Sequence, residues 1–321
     1  MSRKVQTDTS RSDFAVNISG VTKTFTQWQR DNTGKGLLRN LLKPEKRTVT
    51  ALDNVSFKVT KGEFVAYAGP NGAGKSTTMK LLSGMLLPTS GEISVLSMSP
   101  KRQRRMIMHR LGVLFGNRTE LWWDHPIIQS FEWKKVVWNI PDGEYKKNLA
   151  MVTELLDIGS LLKTFARELS LGQRMRADLA MLLLHSPELI LLDEPTLGLD
   201  VEAKRRMIAF LKQLNDDEGT TIVVTSHDMD DLEEMAQRIL LISNGAIAFD
   251  GGFAELRNEL ECTKRAIVKF GDGTQQEISY QDTNRLLREL SEMKGIKDVV
   301  FTQTSLEEGL ANLFEKWKGV I

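Results

Sequence analysis

Between Phe14 and Asp250 short apolar runs alternate with stretches of helical spacing, an order that predicts a mostly parallel sheet with helices between its strands. Phe14, Val16 and Ile18 alternate as a first strand. The alternation breaks over Gln27 to Thr48 and resumes over Val49 to Val59, where Leu52, Val55, Phe57 and Val59 keep the period, so an antiparallel flank is expected beside the parallel core. Phe64 to Ala68 reads as a buried strand and Ser76 to Ser83 as a helix. Beyond a turn at Pro88 to Gly91 come a strand from Glu92 to Leu96, a basic helix from Lys101 to Met108 and a strand from Leu111 to Phe115. Helical spacing then dominates from Ile127 to Leu184, punctuated at Pro141-Asp142-Gly143 and Asp157-Ile158-Gly159, which predicts a helical block over about residues 118–186. Strands return at Leu189 to Leu192, Thr221 to Thr225, Arg238 to Ile242 and Ala246 to Asp250, with helices starting near Val201 and Asp230. Asn244-Gly245 between the last two strands is a two-residue hairpin signal.

From about residue 263 a second unit is expected. Ala266 to Phe270 and Gln275 to Tyr280 flank Asp272-Gly273, Thr283 to Met293 reads as a helix and Val299 to Gln303 as a strand. Ser305 and Glu308 form a capping box ahead of a last helix reaching Trp317. The expected organisation is a mobile tail over residues 1–13, a large α/β domain over 14–262 and a small C-terminal α/β domain over 263–321. Nothing in the small domain concentrates polar residues for chemistry.

The strand and helix at Phe64 to Ser83 enclose Gly-Pro-Asn-Gly-Ala-Gly-Lys-Ser, which fits Gly-x-x-x-x-Gly-Lys-Ser at Gly69, Gly74, Lys75 and Ser76. This is a phosphate-binding loop, so the fold class is α/β with a phosphate-loop NTPase core. Gly69, Gly72 and Gly74 let the backbone of Pro70, Asn71 and Ala73 curl so that N–H groups meet a polyphosphate at the helix N-terminus. Lys75 is placed for the β- and γ-phosphates of ATP, and Ser76 for Mg²⁺, with Thr77 beside it. The strand Leu189 to Leu192 delivers two acids: Asp193 is positioned to hold Mg²⁺, and Glu194 to polarise an attacking water.

Charge and cysteine content narrow the partners. The formal net charge of +1 gives no global field for nucleic acid or an acidic membrane, and no nucleic-acid partner is expected. Positive charge is instead local, in the basic stretch Gln27 to Thr48 around GLLRNLL. The single cysteine, Cys262, excludes an internal disulfide and suits a reducing cytosol. Met1 to Asp13 has no signal-peptide core, and the longest apolar runs are too short to span a bilayer, so a cytoplasmic location with any membrane role through partners is expected.

With the phosphate loop and the acid pair, Leu169-Ser-Leu-Gly-Gln173 completes a set that resembles the nucleotide-binding subunits of ATP-binding-cassette (ABC) transporters, from about Phe14 to Glu261. The resemblance implies two subunits, two copies or two homologues, closing head to tail. Ser170 and Gly172, with Gln173, would then meet the γ-phosphate held by the other subunit. Leu171 stands where the family usually has glycine, with its side chain expected to point away from the nucleotide. The resemblance further makes Gly198-Leu199-Asp200 an inter-subunit loop, His227 the γ-phosphate-sensing switch, and Phe25 the aromatic that stacks on adenine. Asn117 stands where the family has a glutamine that ligates Mg²⁺ and links the ATP site to the membrane subunit. Trp122 and Trp123 lie in the region that receives that subunit, and their adjacency leaves one of them exposed. The layout looks like type-2 ABC exporters, which implies an ATPase motor on the cytoplasmic face of the plasma membrane, working through integral-membrane permease subunits. Two other readings remain: a soluble ABC protein using ATP closure as a clamp, and a C-terminal unit that regulates by binding a small molecule.

Overall fold

The structure is a computed structural model that describes residues 13–29, 45–115, 118–260, 264–280, 282–303, 306–310 and 313. The tail before residue 13, the GLLRNLL segment, Gly116, Asn117, Cys262, Ser305 and Trp317 lie outside the described residues. Two compact units are present: Met1–His227 with Asp231–Asp250, and Asp228–Asp230 with Gly251–Ile321.

The first unit holds two sheets. Its three-stranded sheet is antiparallel, with β1 (Phe14–Gln29) between β2 (Glu45–Thr60) and β4 (Ser90–Val95). Its six-stranded sheet runs β5 (Leu111–Phe115), β6 (Leu189–Asp193), β7 (Thr221–Thr225), β3 (Phe64–Ala68), β8 (Arg238–Ser243), β9 (Ala246–Gly252). The neighbours from β5 through β8 are all parallel. Parallel pairing brings the C-terminal ends of β3, β5, β6 and β7 to one edge, where ligands of open α/β sheets bind. Asn244 and Gly245 take φ of 49° and 81° in the turn joining β8 to β9, both left-handed as a tight hairpin demands.

Helices α1 (Lys75–Leu82), α2 (Pro100–Met108), α3 (Ile127–Trp138), α4 (Asp142–Leu155), α5 (Leu171–Leu183), α6 (Val201–Glu218) and α7 (Met229–Met235) complete the succession. One core cluster joins the two sheets: Val16, Leu52, Phe57 and Val95 from the antiparallel sheet are buried with Tyr67, Leu191, Val223 and Leu240 from the other. Tyr67 is wholly buried, and its hydroxyl bonds Thr78 Oγ1 at 3.0 Å, tying β3 to the helix that follows the phosphate loop. Burial pushes the Tyr67 phenol well above its ordinary range, so it stays protonated.

Two expectations need correction. The strand pattern does not break at Gln27: β1 continues to Gln29 and β2 begins at Glu45, with Gln27 paired to Arg47 and Thr24 to Thr50. Thr26, Arg47, Thr48 and Thr50 are exposed there, so no core imposes alternation, while β-branched threonines still suit the ladder. Nor is Pro88 to Gly91 wholly a turn, since Ser90 and Gly91 open β4. Gly91 sits at φ 85°, and a Cβ on it would lie 2.3 Å from Gly20 O, so glycine here permits close backbone approach rather than a bend.

The adjacent tryptophans are both accessible, Trp122 at 39 % and Trp123 at 50 %. Each is held from one side: Trp122 by Trp133 at 5.8 Å and His125 at 5.5 Å, Trp123 by the Arg174 guanidinium at 5.7 Å.

The second unit contains α8 (Phe253–Glu259) and the antiparallel sheet β11 (Gln275–Tyr280), β10 (Lys264–Phe270), β12 (Ile296–Gln303), with α9 (Thr283–Glu292). Ala266, Val268, Leu286, Leu306 and Leu310 are buried in it. Asp272 closes the β10–β11 turn by accepting from Thr274 N at 2.9 Å, and Asp282 caps α9 by accepting from Asn284 N at 2.9 Å. Among the described residues no helix is long and apolar enough to cross a membrane.

Candidate functional site

The phosphate loop leaves β3 at Ala68 and enters α1 at Lys75. A Cβ on Gly69 would lie 2.1 Å from Ile242 O, and one on Gly74 2.7 Å from Ala51 O, so the loop is pressed against β8 and β2. No side chain caps α1, whose N-cap is Gly74, so its first N–H groups keep their capacity for an anion. Asn71 and Ser76 are exposed and Thr77 half-buried beside them, while Ala73 is buried and holds the loop's curl by donating from its N to Pro70 O at 3.1 Å.

Lys75 is buried, and its ammonium donates to Gly69 O at 2.6 Å and Pro70 O at 3.3 Å. Burial lowers its pKa, while the facing carboxylates of Glu194 and Asp193 pull the other way. Those acids stand at the end of β6, and together with Ser76, Lys80, Phe115 and Asp178 they line a cavity of about 480 Å³.

Asp193 Oδ1 accepts from Thr225 Oγ1 at 2.7 Å. Glu194 takes φ 59°, a left-handed value that costs a side-chain-bearing residue about 1–2 kcal/mol. It is held there by its N–H, which points to Thr225 O and Oγ1, both at 3.1 Å, and by His227 Nε2, 2.6 Å from Glu194 Oε1. A lysine, a magnesium-competent hydroxyl and carboxylate, a second carboxylate and an imidazole therefore converge on one edge of the parallel sheet.

Other residues singled out from the sequence lie elsewhere in the unit. Ser170 caps α5: its Oγ accepts from Gln173 N at 3.2 Å, and its N donates to Gln173 Oε1 at 2.9 Å. Gly172 lies against Ala203 and Leu199, where an added Cβ would find ordinary contact at 3.5 and 3.8 Å. Leu171 turns toward Gly198, on which a Cβ would meet Leu171 Cδ2 at 2.7 Å. Asp200 caps α6 by accepting from Ala203 N at 2.8 Å. Phe25 is half-buried with the Lys23 ammonium 5.1 Å above its ring. Asn117 lies outside the described residues.

Three polar partners were not singled out from the sequence. Thr225 is one; a hydroxyl at the end of an apolar strand was its only signal. Asp178 on α5 is another, accepting from Thr119 Oγ1 at 2.7 Å and Glu120 N at 3.2 Å. Asp231 is the third, bonded by Thr196 Oγ1 and by Lys204 Nζ, each at 3.0 Å.

Burial pushes the Asp178 carboxyl up to about 6, against the two hydrogen bonds that favour its charged form. Its folded pKa is above the unfolded one, so its contribution is present below pH ~4 and lost as pH rises through about 6. Asp178→Asn removes that titration. The mutant's melting temperature, compared with wild type's, should therefore rise between pH 4 and 7, by about 2 kcal/mol of relative stability.

The residues present fit Mg²⁺·ATP. The first N–H groups of α1 have no side-chain cap and so keep their capacity for an anion, and a hydroxyl with carboxylate oxygens is a hard donor set. Among the described residues no group of three His, Cys, Asp or Glu side chains is arranged to hold a metal ion, so the phosphates would complete the metal's shell.

A family model described as ABC transporter matches residues 52–197. The energy-coupling factor transporter ATP-binding protein of Clostridium perfringens is 31 % identical over 82 % of this chain and 91 % of its own length. The linearmycin resistance ATP-binding protein of Bacillus subtilis is 32 % identical over 66 % of this chain and 67 % of its own. A methionine import ATP-binding protein of Carboxydothermus hydrogenoformans is 30 % identical over 65 % and 63 %, respectively. In fold, the chain resembles a dimeric post-hydrolysis state of an ATP-binding cassette bound to ADP and phosphate, with TM-score 0.62 and 24 % identity over 74 % of this chain and 98 % of that one.

Proposed function

Because this chain belongs to the ATP-binding subunits of ABC transporters, and so is an ATPase of that family, we propose that it is the motor of an exporter, closing head to tail with a second copy or a homologous subunit. The observation that carries the motor chemistry is the convergence of Lys75, Asp193, Glu194 and His227 beside the open N-terminus of α1.

In this reading the loop from Gly69 to Thr77 binds the phosphates through its N–H groups and the Lys75 ammonium. Ser76 and Asp193, with Asn117, would hold Mg²⁺, which would supply positive charge to offset that of the phosphates. Glu194 takes the proton of the attacking water, and His227 fixes its carboxylate and faces the γ-phosphate. Phe25 offers its ring to adenine. Ser170, Gly172 and Gln173 belong to the partner's nucleotide. The capping box aims the Ser170 hydroxyl by occupying its acceptor side, leaving its proton to donate. Leu171, turned toward Gly198, leaves that face clear, and Asp200 stands in the loop between subunits. Permease subunits would keep the chain at the cytoplasmic membrane face.

Shared sites predict cooperative kinetics. ATPase rate per subunit should rise with protein concentration below the dimer's dissociation constant. Gly172→Asp should abolish it by setting a carboxylate against the partner's γ-phosphate, while the added Cβ makes only ordinary contact, 3.5 Å from Ala203, so the fold should persist. A rate strictly proportional to concentration throughout, or an active Gly172→Asp, would overturn the shared site. Export is supported by the linearmycin-resistance relative and by the exposed Trp122-Trp123 pair and basic stretch; the methionine-import relative favours the opposite direction. Inside-out vesicles containing the complex should accumulate substrate on ATP addition if it exports, and release preloaded substrate if it imports.

A further inference from the structure

We propose that Thr225 is a positioning residue for hydrolysis, whose single hydroxyl sets both the Asp193 carboxylate and the turn that presents Glu194. The inference rests on the roles just given to those two acids. Thr225 ends β7, is wholly buried, and stands in register beside Asp193 of β6, so the two side chains share one face of the sheet.

A threonine hydroxyl has one proton to donate and lone pairs to accept with. Here the proton goes to Asp193 Oδ1 at 2.7 Å, and the Glu194 N–H is directed at the oxygen at 3.1 Å. Both directions are used, so the hydroxyl has no freedom to rotate. Its bond to Asp193 occupies one carboxylate oxygen and leaves the other for a cation. Its bond to Glu194 N supports a left-handed backbone that nothing in a glutamate side chain favours. One buried group thus couples the orientation of the metal-competent acid to that of the proton acceptor.

Thr225→Val tests this, since it conserves shape in a buried site and removes only the hydroxyl. Thr225 O still accepts from Glu194 N, so the turn retains one bond. ATP binding is measured calorimetrically in a Glu194→Gln background, with and without Mg²⁺. Thr225→Val should leave Mg²⁺-free ATP affinity within about twofold, while the gain in affinity that Mg²⁺ confers falls about tenfold. In the otherwise wild-type chain, turnover at saturating ATP should fall by about tenfold or more. Thr225→Ser, which restores the hydroxyl, should recover both. A merely structural threonine would lower the melting temperature and leave the Mg²⁺ gain intact, and that result overturns the proposal. So does an equal loss of affinity with and without Mg²⁺, or a serine variant that behaves as valine. Should Glu194→Gln alone hydrolyse ATP at the wild-type rate, the general-base reading fails, while the Mg²⁺ titration still decides the role of Thr225 toward Asp193.

Discussion

Glu194→Gln is expected to reduce ATP turnover by about 10²–10⁴-fold, the usual worth of a general base, while ATP binding persists. Glutamine keeps the length and shape of the side chain, so the 2.6 Å contact with His227 has a hydrogen-bonding replacement and the left-handed turn at φ 59° is undisturbed. What disappears is the basic lone pair that receives water's proton. Chemistry stops after closure, so the variant should retain ATP through gel filtration and run as a dimer. Phosphate release gives the rate and the retained nucleotide gives the occupancy. Turnover equal to wild type would remove Glu194 from its role.

Lys75→Ala acts one step earlier. Its ammonium lies within the loop, on Gly69 O and Pro70 O, in a buried setting that disfavours charge. A polyphosphate offers that charge better acceptors, and the loop carbonyls are released as the ammonium turns. Alanine leaves the phosphate charge without this partner, so ATP affinity should fall by about tenfold to a hundredfold or more, the worth of charge-assisted bonds in a partly dry site. Calorimetry checks this directly. Glu194→Gln and Lys75→Ala thus separate cleanly: one binds without hydrolysing, the other binds more weakly. An alanine variant with unchanged affinity would mean that the ammonium stays on the loop in the bound state.

The chemistry of this site was legible because most of it is written locally. The loop from Gly69 to Ser76 is one contiguous turn whose geometry depends on glycines a few positions apart, and the Cβ clearances at Gly69 and Gly74 explain those glycines. Asp193 and His227 were legible for a related reason: each closely follows an apolar strand, and parallel strands bring their C-terminal ends to a common edge. The flank was less so. In the ribbon from Thr24 to Gln29 against Glu45 to Thr50, Thr26, Arg47, Thr48 and Thr50 are exposed, so the ladder formed without an alternating apolar signal.

By itself, then, the chain's order of residues determined the phosphate-loop motif, the acid pair at the end of an apolar strand and the succession of strands and helices, since each depends on neighbours within a few positions, whereas His227 was singled out through the family resemblance. Tertiary structure alone decided which strands lie side by side. Thr225 is 32 positions from Asp193, and only the adjacency of β6 and β7 lets its hydroxyl reach that carboxylate. The left-handed turn at Glu194 has the same origin: a glutamate favours no such conformation, and the bonds from Thr225 and His227 hold it against its intrinsic preference.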